Sequence, residues 1–295
     1  MGKASKRHGG RRERATSGPA AAPYVARPFE GLPSETEWVA IREIVPAATA
    51  TVGLVGDALP EGAAGEATVC TVLPLAWPAL HRTGGDVLVA TQSGASSGDA
   101  SRDLAAALLL ALEAEEGTPV TSVPTPTADS PRLQDVVDAG RDFRVTVEDG
   151  FDFWVGDAEL DDEGRASLER ANESSIPTVR VEGVTSAYWC EITGRHYLRW
   201  VLPHDEDTAT DALARLIAAD TQRLVPDSRL LGAFRACGLL VPVWEVDVDA
   251  DPASFSDPIV ALEKRLDEAL ADTGSLDEAA RRARAGLRSR QVTLR

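Results

Sequence analysis

Apolar positions along the 295-residue chain switch between helical and strand period several times, and each switch marks an element boundary. Trp38, Ile41, Ile44 and Val45 share one helical face. Ser34 and Glu37 precede them at capping-box spacing, and Pro46 stops the helix before a β-branched strand with Thr49, Thr51 and Val52. The same order returns later, with acids at a helix start, Leu168 and Ala171 on its apolar face, Pro177 as the stop and a strand over 178–181. Apolar runs on either side of Thr83-Gly84-Gly85, and again around Thr193-Gly194-Arg195, predict two hairpins. Each hairpin leads through a polar loop into a helix. The first has Leu104, Leu108 and Leu112 in line behind Asp99 or Ser101 as cap; the second has Leu213, Leu216 and Ile217 behind Thr208 and Asp211 at capping-box spacing.

Residues 129–149 and 227–247 then look like copies of one another. Both open on Asp-Ser, reach a glycine (Gly140, Gly238) after the same number of residues and end in alternating valines and an Asp, the pattern of a short helix, a C′ glycine and a strand. Matching positions drift from 129 residues apart at Thr49 and Thr178 to 110 at Gly84 and Gly194 and 98 at Gly140 and Gly238, with the surplus in Gly/Pro-rich loops. The expected fold is therefore α+β, in two tandem related units, each helix, antiparallel strands, helix, helix, strand, followed by C-terminal helices. The boundaries are a disordered basic arm at 1–27, a first unit at 28–155, a second at 156–251, helices at 252–287 and a basic tail at 288–295. Ile259, Leu262, Leu266 and Leu270 give the apolar face of the first C-terminal helix, and Ser275 with Glu278 starts the next.

Charge sharpens this division. Residues 1–22 carry six Lys/Arg and one acid, and residues 281–295 carry six Arg and none, so the segment between them has 18 basic and 46 acidic residues. An acidic body repels nucleic acid, which leaves the basic ends either to touch phosphates or to fold back on the body. Three cysteines, Cys70, Cys190 and Cys237, show no CxxC spacing, which fits a reducing cytosol better than a disulfide framework or a zinc site. The basic start is followed by no apolar core, and the longest apolar run, 104–112, is far below the roughly 20 residues that span a bilayer. A cytoplasmic protein without membrane contact is expected.

Candidate chemistry is sparse. The small-residue loop at 91–99 has neither the lysine of a P-loop nor a GxGxxG pattern. Residues 247–252 start like a calcium loop, but Pro252 and Pro258 stand where that loop needs glycine and glutamate. His204 beside Asp205, Glu206 and Asp207 reads more simply as an acidic helix start than as a metal site, and no cofactor is expected. Only His81, His196 and His204 lie outside the arm as bases for nucleophilic catalysis, and none is paired with a recognisable nucleophile. Alternation in "FDFWV" and "YLRW" puts aromatics on both faces of some strands; a face left with Trp and Arg uncovered suits protein binding.

The stretches "RPFEGLPSETEWVAIREIVPAATATV", "TVLPLAWPALHRTGGDVLVATQ", "EDGFDFWV", "ERANESSIPTVR" and "RWVLPHDEDTATDALARL" resemble an uncharacterised actinobacterial family known only as a domain of unknown function. The resemblance runs from Tyr24 to Arg295 and implies no activity. Some similar proteins carry an N-terminal SEC-C zinc motif and are labelled SecA-like; residues 1–23 contain no cysteine to build one. The expectation is a non-catalytic protein-binding or accessory module with Trp154, Trp189, His196, Trp200 and His204 as binding residues. The alternatives are a ribosome- or nucleic-acid-associated protein acting through its basic tails, and an enzyme with a site between the units using His196 or His204.

Overall fold

The structure, a computed structural model, describes residues 20–94, 97–156 and 160–289. Helix α1 (Glu35–Glu43) is followed by strands β1 (Ala48–Gly53), β2 (Glu66–Cys70), β3 (Ala79–His81) and β4 (Val87–Ala90). Helix α2 (Ala100–Glu113), strand β5 (Thr118–Val120), the one-turn helix α3 (Leu133–Val136) and strand β6 (Thr146–Val147) complete the first half. The second half contains α4 (Asp162–Glu173), β7 (Thr178–Arg180), β8 (Ala187–Ile192), β9 (Arg195–Trp200), α5 (Glu206–Ala218), β10 (Arg229–Ala236), β11 (Leu239–Val246), α6 (Ser256–Ala271) and α7 (Glu278–Ser289).

These strands form two sheets, ordered β5-β3-β4-β2-β1-β6 and β10-β11-β9-β8-β7. The first is mixed, because β2 and β4 run parallel; the second is antiparallel throughout. Helix α1 lies between them. Six consecutive residues from Thr36 to Ile41 are buried, so over this stretch the helix has no solvent face and only its ends reach water, the condition for a helix enclosed on all sides. Trp38 lines a small internal void together with Val52, Val69 and Val89 of the first sheet and Leu104 and Leu108 of α2. The same core takes in Tyr188, Val201, Phe234, Leu239 and Val241 from the second sheet. On its other face the second sheet buries Trp189, Leu198, Trp200, Leu240 and Trp244 under α5, α6 and α7.

Several expected elements differ. The segment before Gly238 is strand β10, with Cys237 (φ 45°) and Gly238 (φ 81°) as the two-residue tip of a β10–β11 hairpin. The segment before Gly140 holds only the one turn of α3, and Gly140 is absent from the positive-φ glycines. The shared helix–glycine–strand unit is therefore corrected: a short apolar run has no period of its own to separate strand from helix, and two residues with left-handed backbone favour a hairpin. Ser34 makes no cap; it sits at φ 53° without a side-chain bond. The cap of α5 is Asp205, which accepts from Thr208 N. Residues 20–27 are an ordered strap rather than part of a free arm: Ala21 bridges Thr127, Val25 N donates to Gly98 O, and Arg27 pairs with Glu35. Residues 1–19 of the arm, 290–295 of the tail, and 95–96 within the small-residue loop lie outside the described residues.

Candidate functional site

Between β2 and β3 the chain runs Leu73-Pro74-Leu75-Ala76-Trp77-Pro78 through a tight reversal. Trp77 N donates to Pro74 O at 3.1 Å, and both central residues are left-handed, Leu75 at φ 54° and Ala76 at φ 55°. A turn with two positive φ values favours Asn-Gly, because a Cβ in that region costs about 1–2 kcal/mol per residue. Here it carries Leu-Ala. Leu75 is 87% exposed, so burial returns almost nothing for that cost.

The turn is anchored on both sides. Leu73 is buried with Cys70, Leu88 and Ala90 on the face of the first sheet opposite α2, where Trp77, Leu80, Phe153 and Trp154 pack half-buried. The 3-10 turn Asp152–Trp154 closes over this cluster. Trp154 Nε1 donates to Val72 O at 2.7 Å, the Trp154 ring stacks on Phe151 with centroids 4.8 Å apart, and Arg82 Nη2 donates to Phe153 O. The exposed leucine thus stands on a loop held by an aromatic group. Turn formers that would mark it are missing, since a reversal written as Leu-Ala inside an apolar run resembles continuing strand; Pro74 and Pro78 are its only signal.

The expected binding residues do not share one surface. Trp154 belongs to the cluster just described. Trp189 and Trp200 are 7% and 3% exposed in the core under α5 and α6, and Trp200 Nε1 donates to Thr185 O at 3.0 Å. Their placement as uncovered hot spots is corrected: alternation aims Trp189, Leu198 and Trp200 at the helices, and large apolar area favours burial there. His196 packs edge-to-face on Trp189 at 4.6 Å, with Nε2 3.9 Å from Glu191 Oε2. His204 lies half-buried in the turn before α5, while His81 on β3 bonds Ala114 O through Nδ1 at 2.7 Å. The three histidines therefore sit on separate elements, and no two of them share a partner. Among the described residues, no group of three or more His, Cys, Asp or Glu side chains is placed to hold a metal ion.

A buried polar network joins the two halves. Glu37 of α1 accepts from Arg180 Nη1 (3.0 Å) and Ser186 Oγ (2.7 Å) at Oε1, and from Arg180 Nη2 (2.5 Å) and Val145 N (2.8 Å) at Oε2. Arg180 Nη2 also donates to Tyr188 Oη and Val145 O. Burial on its own would push the Glu37 carboxyl up, but the hydrogen bonds from Arg180 and Ser186 outweigh it and hold the group below its ordinary value. Every strong acceptor position of this carboxylate is filled, which makes it a structural clasp rather than a free acid or base.

The chain belongs to the family of unknown function DUF5926, whose model matches residues 28–295. No curated protein and no solved structure matches it.

Proposed function

We propose that this chain is a non-catalytic, cytoplasmic protein-binding module and that the Leu75 turn is its contact point. One observation carries the reading: two non-glycine residues hold an unfavourable backbone in order to present a leucine that the fold does not bury. Strain of this kind persists where function repays it, and an apolar side chain on a firmly supported loop is suited to insertion into a partner's pocket. Trp154 supports the loop from beneath, which keeps it among the binding residues in a positioning role.

The nucleic-acid alternative draws less support. Arg284 and Arg288 of α7 pair with Asp207 and Asp211 of α5, so part of the C-terminal basic charge is spent on the acidic body. An enzyme between the halves draws less still, because the space there is filled by α1 and the Glu37 clasp. A benzophenone amino acid at position 75, irradiated in cells, should give a discrete cross-linked product that the same group at the exposed Val248 does not give. Indistinguishable products from both positions would refute the reading.

A further inference from the structure

On the face turned toward α1, the second sheet is only half covered. Beyond the buried Tyr188, Cys190, Phe234, Leu239 and Val241, the strand positions on that face are half-exposed at Ile192, Tyr197, Arg199, Val243 and Glu245 and exposed at Arg195 and Arg229. Strand register sets them side by side: Arg199 lies between Tyr188 and Val243, and Tyr197 lies between Cys190 and Glu245.

Three guanidinium groups share this quadrant with one carboxylate. Glu245 accepts from Arg229 Nη2 at 2.6 Å and from Arg195 Nη1 at 3.4 Å. Arg199 directs Nη2 at the Cys190 sulfur, its Nε is buried without an acceptor, its Nη1 is neither buried nor bonded, and no carboxylate pairs with it among the described residues. In a chain with 47 acidic and 30 basic residues most described arginines find a carboxylate, and Arg199 is set apart from the few that do not by its place on a sheet face beside two further arginines. The unbonded Nη1 edge of a guanidinium is a charged donor suited to a carboxylate oxygen.

We infer that this quadrant docks an extended acidic segment of a partner protein, with Arg195 and Arg199 each taking a carboxylate and Tyr197 packing an apolar side chain between them. Alternate residues of a strand are about 6.6 Å apart, so three positions on β9 match an acid, an apolar residue and an acid at alternate positions of an extended peptide. Half-exposed Ile192 and Val243 supply apolar contact beside the charges, which suits a peptide better than a phosphate backbone. The acidic body also opposes a polyanion. This surface lies on the other half of the molecule from the Leu75 turn, so either site can fail without the other.

The test is fluorescence anisotropy with a labelled decapeptide carrying glutamate, phenylalanine and glutamate at alternate positions in a Ser/Gly background. Saturable binding is expected, weakened by about tenfold or more in Arg199→Gln and in Arg195→Gln, whose exposed side chain leaves the fold unaffected. Glu245→Gln frees Arg195 and Arg229 and should tighten binding. A peptide with glutamine for glutamate, and a ten-thymidine oligonucleotide, should fail to compete. Absence of saturable binding, indifference to Arg195→Gln, or tighter binding of the oligonucleotide would overturn the inference.

Discussion

Glu37 and Arg180 form a two-pronged ion pair across 143 residues of sequence, and it is this pair that couples α1 to the edge strand β7 of the second sheet. Both groups are largely removed from water. Removing one partner leaves the other charged and buried, which costs about 3–5 kcal/mol. Glu37→Ala should therefore lower unfolding stability by that amount in a denaturant titration, and Glu37→Gln, which keeps part of the bonding, by less.

The same pair fixes an acid dependence. A carboxyl held below its ordinary value of 4.5 contributes stability in full above that value and loses it as the pH falls toward the depressed folded value. Arg180 stays charged throughout: burial works against its charge, but the hydrogen bond to Glu37 and the nearby negative charges hold its affinity for the proton above the ordinary value. Stability should fall below about pH 4.5 in the parent, and this part of the fall should be missing from Glu37→Gln.

Two hairpin glycines separate backbone strain from crowding. At Gly194 (φ 72°) an added Cβ would meet nothing within 4 Å, whereas at Gly238 (φ 81°) that carbon would meet Ala26 O at 2.8 Å and Arg27 Cβ at 2.9 Å. Gly194→Ala should cost about 1 kcal/mol from backbone alone. Gly238→Ala should cost about 3 kcal/mol, because the strap over 20–27 must also move. Protease cleavage within the strap, followed by mass spectrometry, should accelerate only in the second variant.

All three thiols are muted by burial. Desolvation pushes Cys70 and Cys190 up, and Cys237 up to about 12, where Glu43 adds to the effect. The native chain should react slowly with a disulfide reagent at pH 8 and release three equivalents only in guanidinium.

Trp154→Phe should remove the bond to Val72 O while keeping the stack on Phe151, at a cost of about 1 kcal/mol. Cross-linking through position 75 should weaken in this variant, since the loop loses its tether.

Much of the architecture is readable in the sequence, where period and punctuation agree. Pro46 and Pro177 do lie between the first helix of each half and the strand that follows, β1 or β7, although the helices stop three and four residues earlier, and Thr193-Gly194 does turn the β8–β9 hairpin. Legibility ends where two structures share one pattern. In the run before Gly238, Leu230 and Ala233 face one core while Phe234 and Ala236 face the other, so apolar residues fall on both faces of β10 and no alternation distinguishes it from a helix. Glu37 has the spacing of a local capping partner; its true partner lies on another sheet, and no local spacing encodes that. The Leu75 turn is hidden for the opposite reason, since its residues contradict the backbone they adopt.

Leu75 is kept on its turn at a cost to the fold, and denaturant unfolding of Leu75→Gly measures that cost directly. Glycine adopts φ 54° without penalty, so the variant should be more stable than the parent by about 1 kcal/mol. A loss of stability of similar size would show that the leucine serves packing, and the contact point would have to be sought elsewhere.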